Sequence, residues 1–265
     1  MRLNFKCATR RKMKTGGRVL SVSGKGGTGK TLIAALLIRE ILALREDACV
    51  LAVDADADAN LADALGVSFF KTVGDIREEI LEKKHREFFD LRTRFEAEIA
   101  SILVEERGFD LLVMGRPEGP GCYCPVNHIL RKAIDTLSQN YDYTVIDCEA
   151  GLEHLSRRTT QNVDLMIVVL DETMKSIKTA VNLMKIASEI DAEVREMIFV
   201  ANKITTEEAK ERVLLSARRF GIEIAAFIPY DPLVAEYDIK GEPVVRLPED
   251  APSVRAVREL VKQII

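Results

Sequence analysis

This sequence predicts an α/β fold, a single doubly wound, mostly parallel sheet of about seven strands with helices on both faces. Two observations carry that expectation. From Arg18 onward, short apolar runs alternate with stretches of helical periodicity. The runs are continuous in Val, Ile and Leu, as strands buried on both faces are. The second observation is Gly24-Lys25-Gly26-Gly27-Thr28-Gly29-Lys30-Thr31, which fits the phosphate-loop pattern G-x-x-x-x-G-K-[ST] between a strand-like and a helix-like run. A chain of 265 residues suits one large α/β domain.

Residues 1–17 stand apart as a basic extension, expected to be disordered. They hold Arg2, Lys6, Arg10, Arg11, Lys12 and Lys14, and the first acid of the chain is Glu40. Residues 18–265 form the expected domain. Its candidate strands are Arg18–Ser23, Cys49–Val53, Asp110–Met114, Tyr143–Asp147, Leu165–Leu170, Met197–Ala201 and Ile224–Ile228. Thr31 to Leu44 is apolar nearly all round, like a helix buried under other layers. Residues 66–108 read as a charged, mostly helical insertion in which Phe88, Leu91, Phe95, Ile99 and Ile102 recur at helical spacing, a core-packing stripe. At the C-terminus Val254, Val257, Val261 and Ile264 oppose Arg255, Arg258 and Lys262. This helix follows closely on Pro248 and Pro252, so packing on the sheet is expected rather than membrane binding.

Composition narrows the function. A net charge of −4 and a pI near 5.6 argue against bulk nucleic-acid binding. No apolar run approaches a membrane span, and the first residues lack the apolar core of a secretory signal. Five cysteines suit a reducing cytoplasm and thiol or metal chemistry rather than a disulfide framework. The expectation is a cytoplasmic protein with neither nucleic acid nor membrane as partner.

In the loop, Gly24, Gly26, Gly27 and Gly29 let backbone N–H groups crowd around phosphate oxygens together with Thr28, and the helix start adds partial positive charge. Lys30 would reach the β- and γ-phosphates and Thr31 would hold Mg²⁺. After the second strand, Asp54, Asp56 and Asp58 alternate. Three such carboxylates repel unless a cation or lysine sits nearby, which suggests a metal-phosphate site. Asp147 ends another strand and reads as a second Mg²⁺ holder. Cys148 beside it reads as a small buried thiol and His154 as a surface residue at a helix start. Asn202-Lys203 ends a later strand, and the Asn202 amide pairs a donor with an acceptor, as an adenine ring requires. Cys122 and Cys124 lie two apart, so in an extended segment both thiols face one metal. They supply half of a four-thiolate site, which a two-fold dimer would complete.

Lys25, right after the first glycine, makes the loop resemble the deviant Walker A motif of the MinD/ParA/NifH class of ATPases. That resemblance implies a P-loop NTPase fold, ATP rather than GTP, and a homodimer in which Lys25 crosses to the partner's phosphates. It would make Asp54-x-Asp56 a switch that orients and activates water, the role falling to Asp54 or Asp56, and Gly151 a γ-phosphate sensor. Pro229-Tyr230 would wall the base. With Cys122-Tyr123-Cys124, Asn127, Glu149–Leu155, Ile228–Tyr230 and Lys240–Glu242, the chain resembles the CooC-type ATPases that mature nickel carbon monoxide dehydrogenase. The resemblance runs from about Arg18 to the C-terminus. It implies Ni²⁺, or Zn²⁺ as resting occupant, at a dimer interface, ATP hydrolysed to ADP, and the dehydrogenase as client. The alternative is a MinD/ParA-like positioning ATPase acting on membrane or DNA, which leaves the C-x-C pair idle.

Overall fold

The computed structural model describes residues 17–82, 91–115, 135–149, 162–189 and 193–265. Among these, eight strands form one sheet in the order β3-β4-β2-β5-β1-β6-β7-β8. They are β1 (Arg18–Gly24), β2 (Val50–Ala55), β3 (Val104–Glu105), β4 (Phe109–Val113), β5 (Tyr143–Cys148), β6 (Asn162–Leu170), β7 (Glu193–Ile204) and β8 (Ile224–Pro229). All pairings are parallel except that of β3 with β4. The helices are α1 (Lys30–Leu44), α2 (Asn60–Leu65), α3 (Val73–Glu82), α4 (Leu91–Ile102), α5 (Met174–Glu189), α6 (Glu207–Arg218), α7 (Pro232–Lys240) and α8 (Pro252–Ile264).

The period-two geometry of the strands sorts their side chains into two cores. On β2, Leu51, Val53 and Ala55 join the layer beneath α3, α4 and α5, while Val50 and Ala52 join the layer beneath α1, α2 and α8. In α1, residues Ile33 to Ile38 and Ile41 are buried. A helix centred on the sheet and roofed by α2 and α8 is wet on almost no side, hence its apolar circumference.

All seven expected strands are present. Two start three or four residues earlier than expected, β6 at Asn162 and β7 at Glu193, because their first residues include polar ones. There Asp164 pairs with Arg195 at 2.7 Å across the two strands. The eighth strand, β3, is a two-residue antiparallel edge too short to leave a pattern. Within 66–108, Ile99 and Ile102 are buried as the stripe requires. Phe88 and the side chains of Leu91 and Phe95 lie outside the described residues, as do residues 1–16.

The C-terminal helix packs on the sheet. Val254, Val257, Leu260 and Val261 are buried against α1 and β8. Arg258 reaches Glu40 of α1 at 2.6 Å, a carboxylate with no exposed surface that Arg39 also approaches at 3.3 Å. Among the described residues, no helix is long and apolar enough to cross a membrane.

Candidate functional site

Register brings the site together. Asp147 on β5 stands beside Val22 on β1 and Asp54 on β2, so two carboxylates and the exit of β1 share one line across the sheet. This is the C-terminal edge of the parallel strands, where doubly wound sheets bind ligands.

The chain leaves β1 at Gly24, whose φ of 148° lies outside the range of ordinary residues. A Cβ there would stand 2.4 Å from the Val169 carbonyl oxygen. Thr28 closes the turn by donating from its backbone and its hydroxyl to the Lys25 carbonyl, at 3.3 and 2.8 Å. Gly29, at φ 91°, then starts α1 without any side-chain cap, and no acid occupies the first turn. The leading amides of α1 are therefore left to an anion. Two side chains at the end of β7 hold the loop in this shape. Asn202 donates from Nδ2 to the Thr28 carbonyl at 2.8 Å, and Lys203 donates from Nζ to the Gly27 carbonyl at 2.9 Å.

Lys30 is 8% exposed and sits near Asp147. Neither carboxylate oxygen of Asp147 has a hydrogen-bond partner, although both are buried. Thr31 lies close enough to favour the ionised form but not in bonding geometry. Burial pushes the Asp147 carboxyl up to about 7, Asp54 and Asp56 add to the rise, and Thr31 and Lys30 oppose it. A buried carboxylate with two idle oxygens beside a hydroxyl is a fit for a hard divalent cation.

The two aspartates that the sequence could not rank differ in the structure. Asp54 is fully buried, and its oxygens are taken by backbone donors, Leu61 N at 2.8 Å and Asp56 N at 3.2 Å. It pins the start of α2. Burial raises its carboxyl to about 6 despite those bonds. Asp56 is half-buried and uses one oxygen on Asp58 N at 3.1 Å.

Beside the loop opens a cavity of about 820 Å³. Thr31 and Leu32 of α1, Asn60 and Asp63 of α2, Asn202 and Lys203 of β7, Pro229 at the end of β8, and Tyr230 and Asp231 after it line the cavity. Every expected base-end residue is thus on this wall. Asn202 spends one of its two Nδ2 hydrogens on Thr28, which leaves the second hydrogen and the carbonyl oxygen for a base. Lys25 is half-exposed, and its charge reaches Asp171 at the end of β6. Burial alone would raise the Asp171 carboxyl, but bonds from Thr173 and Ser176 and the Lys25 charge hold it below the usual range.

A model of the CobQ/CobB/MinD/ParA nucleotide binding domain matches residues 19–244. The chain belongs to this nucleotide-binding family. Among family relatives, an ATP-binding protein of Methanocaldococcus jannaschii is 45% identical over 93% of this chain and 98% of its own length. The carbon monoxide dehydrogenase accessory protein CooC of Rhodospirillum rubrum is 31% identical over 84% of this chain and 87% of its own. In fold, the MinC:MinD cell division protein complex of Aquifex aeolicus superimposes with a TM-score of 0.69 at 24% identity, covering 94% of this chain and 95% of that one.

Cys122, Cys124, Asn127, Gly151 and His154 lie outside the described residues. Among the described residues, no group of three or more His, Cys, Asp or Glu side chains is arranged to hold a metal ion. Cys148 is buried with its thiol pushed up to about 12, chiefly by that burial, and is inert packing. Sequence reasoning missed Asp171 and Asp231. Asp171 directly follows β6 and Asp231 stands two residues past the end of β8, both at the site's edge of the sheet, which is the signal that could have found them.

Proposed function

We propose that this protein is an ATPase that closes as a homodimer on Mg-ATP, reopens on hydrolysis, and delivers nickel to carbon monoxide dehydrogenase. The observation that carries the nucleotide half is the buried Lys30 beside the unpartnered Asp147, at the foot of an uncapped α1. The cargo half is supported by Cys122-Tyr123-Cys124 in the sequence, together with 31% identity to a carbon monoxide dehydrogenase accessory protein.

In this reading the amides of Gly26 to Lys30 wrap the phosphates, with Gly24 and Gly29 allowing the tight approach. Lys30 neutralises the β- and γ-phosphates. Thr31 and Asp147 would hold Mg²⁺, which supplies positive charge to the phosphate oxygens when bound. Asp56, half-buried with an oxygen to spare, orients the attacking water. Asp54 is its positioning neighbour, fixing α2 rather than touching water. Lys25 leaves Asp171 and reaches the second subunit's phosphates. Asn202, Lys203 and Pro229 frame the base. Phosphoryl transfer needs little beyond this, because positioning and charge do most of the catalytic work.

Two C-x-C pairs brought together by the dimer would hold one Ni²⁺ (or Zn²⁺ at rest) as cargo between four thiolates. Metal and nucleotide affinities would then be thermodynamically coupled. Equilibrium dialysis with Ni²⁺ tests this. Wild type should bind one nickel per two chains, and Cys122→Ser/Cys124→Ser should lose it. Equal binding by the two proteins would refute the bridge.

A second reading, a positioning ATPase on membrane or DNA, is favoured by 22% identity to the septum site-determining protein MinD of Bacillus subtilis over 94% of this chain. The burial of the apolar face of α8 counts against a membrane-seeking C-terminus. Co-sedimentation with anionic vesicles and with DNA separates the two readings.

A further inference from the structure

We propose that Asp231 and Ser253 form a tie that sets how tightly the site grips the base end of its nucleotide, so that the C-terminal helix takes part in base recognition. This rests on the nucleotide reading above and adds positioning residues to the same site.

Asp231 directly follows Pro229 and Tyr230, the corner that closes the cavity after β8. It lines the cavity yet is only 5% exposed, because both of its oxygens are engaged from behind. Oδ1 accepts from Leu233 N at 3.1 Å and caps α7. Oδ2 accepts from Ser253 N at 3.1 Å and from Ser253 Oγ at 2.6 Å. Ser253 is in the first turn of α8 and is itself buried. One carboxylate thus meets the positive ends of two helices, where its charge is favoured.

The same corner is held on its other side. Tyr230 N donates to the Ile204 carbonyl at 2.8 Å, at the end of the strand that carries Asn202 and Lys203. The base wall is therefore suspended between β7 and α8. Further along α8, Arg258 grips Glu40 of α1 at 2.6 Å, and α1 is the helix that receives the phosphates. Glu40 lies in the C-terminal half of α1, so α8 ties the base wall to the body of that helix and not to its phosphate end. Holding the corner in place before ligand arrives reduces the ordering cost of binding a base. The phosphates meet the loop and α1, neither of which Ser253 contacts by hydrogen bond.

The test uses ligands with and without a base. Affinities for Mg-ATP and for Mg-tripolyphosphate are measured by calorimetry on wild type, Ser253→Ala and Asp231→Asn, with ligand-free melting curves as a fold control. The tie predicts that Ser253→Ala weakens ATP by about fivefold, the size of one ordinary hydrogen bond. Tripolyphosphate affinity should stay within about twofold, and Asp231→Asn should shift the ratio the same way. General loosening of the fold would weaken both ligands by one factor and would overturn the tie, as would an unchanged ATP affinity. If wild type binds ATP no better than tripolyphosphate, the cavity is not a base site and the nucleotide reading itself fails.

Discussion

Replacing Asp147 with asparagine should stabilise the ligand-free protein at pH 8 while removing Mg-nucleotide binding. The buried carboxyl sits at about 7, against an ordinary value of 3.8. At ~1.4 kcal/mol per tenfold, keeping it ionised inside the fold at pH 8 costs on the order of 4 kcal/mol. Asparagine escapes that cost but leaves an unpaired amide, which returns about 2 kcal/mol of it. The net gain of about 2 kcal/mol corresponds to roughly 5 °C in Tm for a chain of this size. The sign follows from proton binding. A raised folded-state value means that the native state holds more protons than the unfolded chain between about pH 4 and 7. Wild-type stability therefore falls as pH rises through that window, and the advantage of asparagine is absent near pH 4. Circular-dichroism melts at pH 4 and pH 8 without ligand, with calorimetry for Mg-ATP, read both effects. An asparagine variant that melts below wild type at pH 8, or shifts equally at both pH values, would refute the assignment of Asp147 as an unpaired buried carboxylate.

Arg258→Ala should cost about 2 kcal/mol in urea denaturation, because the fully buried Glu40 loses its shorter, hydrogen-bonded partner and keeps only Arg39 at 3.3 Å. Gly29→Ala should abolish nucleotide binding in a protein that still folds, since its φ is 91° and the new Cβ would stand 2.4 Å from Asn202 Nδ2. Titration with a fluorescent ATP analogue reads this out, and retained affinity would mean that the loop re-forms another way. Asp56→Ala should bind ATP normally but hydrolyse it at least about 100-fold more slowly, a loss typical of a missing water-orienting group. Asp54→Ala should instead lower Tm first, as α2 loses its anchor. The reverse pattern in steady-state phosphate release and melting would exchange the two roles.

The strands were legible because a parallel sheet covered on both faces needs continuous apolar runs, as in Leu165–Leu170. Where the first residues of a strand are polar, as at Asn162 and Glu193, the signal vanishes although the backbone continues. The phosphate loop was legible because its glycines answer to local backbone geometry. Asp54 and Asp56 could not be ranked from spacing, since only the return of Leu61 to Asp54 distinguishes them. Asp231 offered only its place near a strand end, and its role lies in a contact with Ser253 that folding creates. The C-terminal helix is amphipathic in sequence whether its apolar face meets lipid or α1, and it is the packing against α1 and β8 that decides.

Nickel delivery by this protein requires nucleotide to drive two chains around one metal. Native mass spectrometry of the purified protein with Ni²⁺, with and without a non-hydrolysable ATP analogue, tests it most directly. The expected species is a dimer carrying one nickel and two nucleotides, enriched by the analogue and lost in Lys25→Ala. A nucleotide-bound dimer that takes up no nickel would contradict the metal-delivery claim, and a chain that stays monomeric with nucleotide would contradict the switch itself.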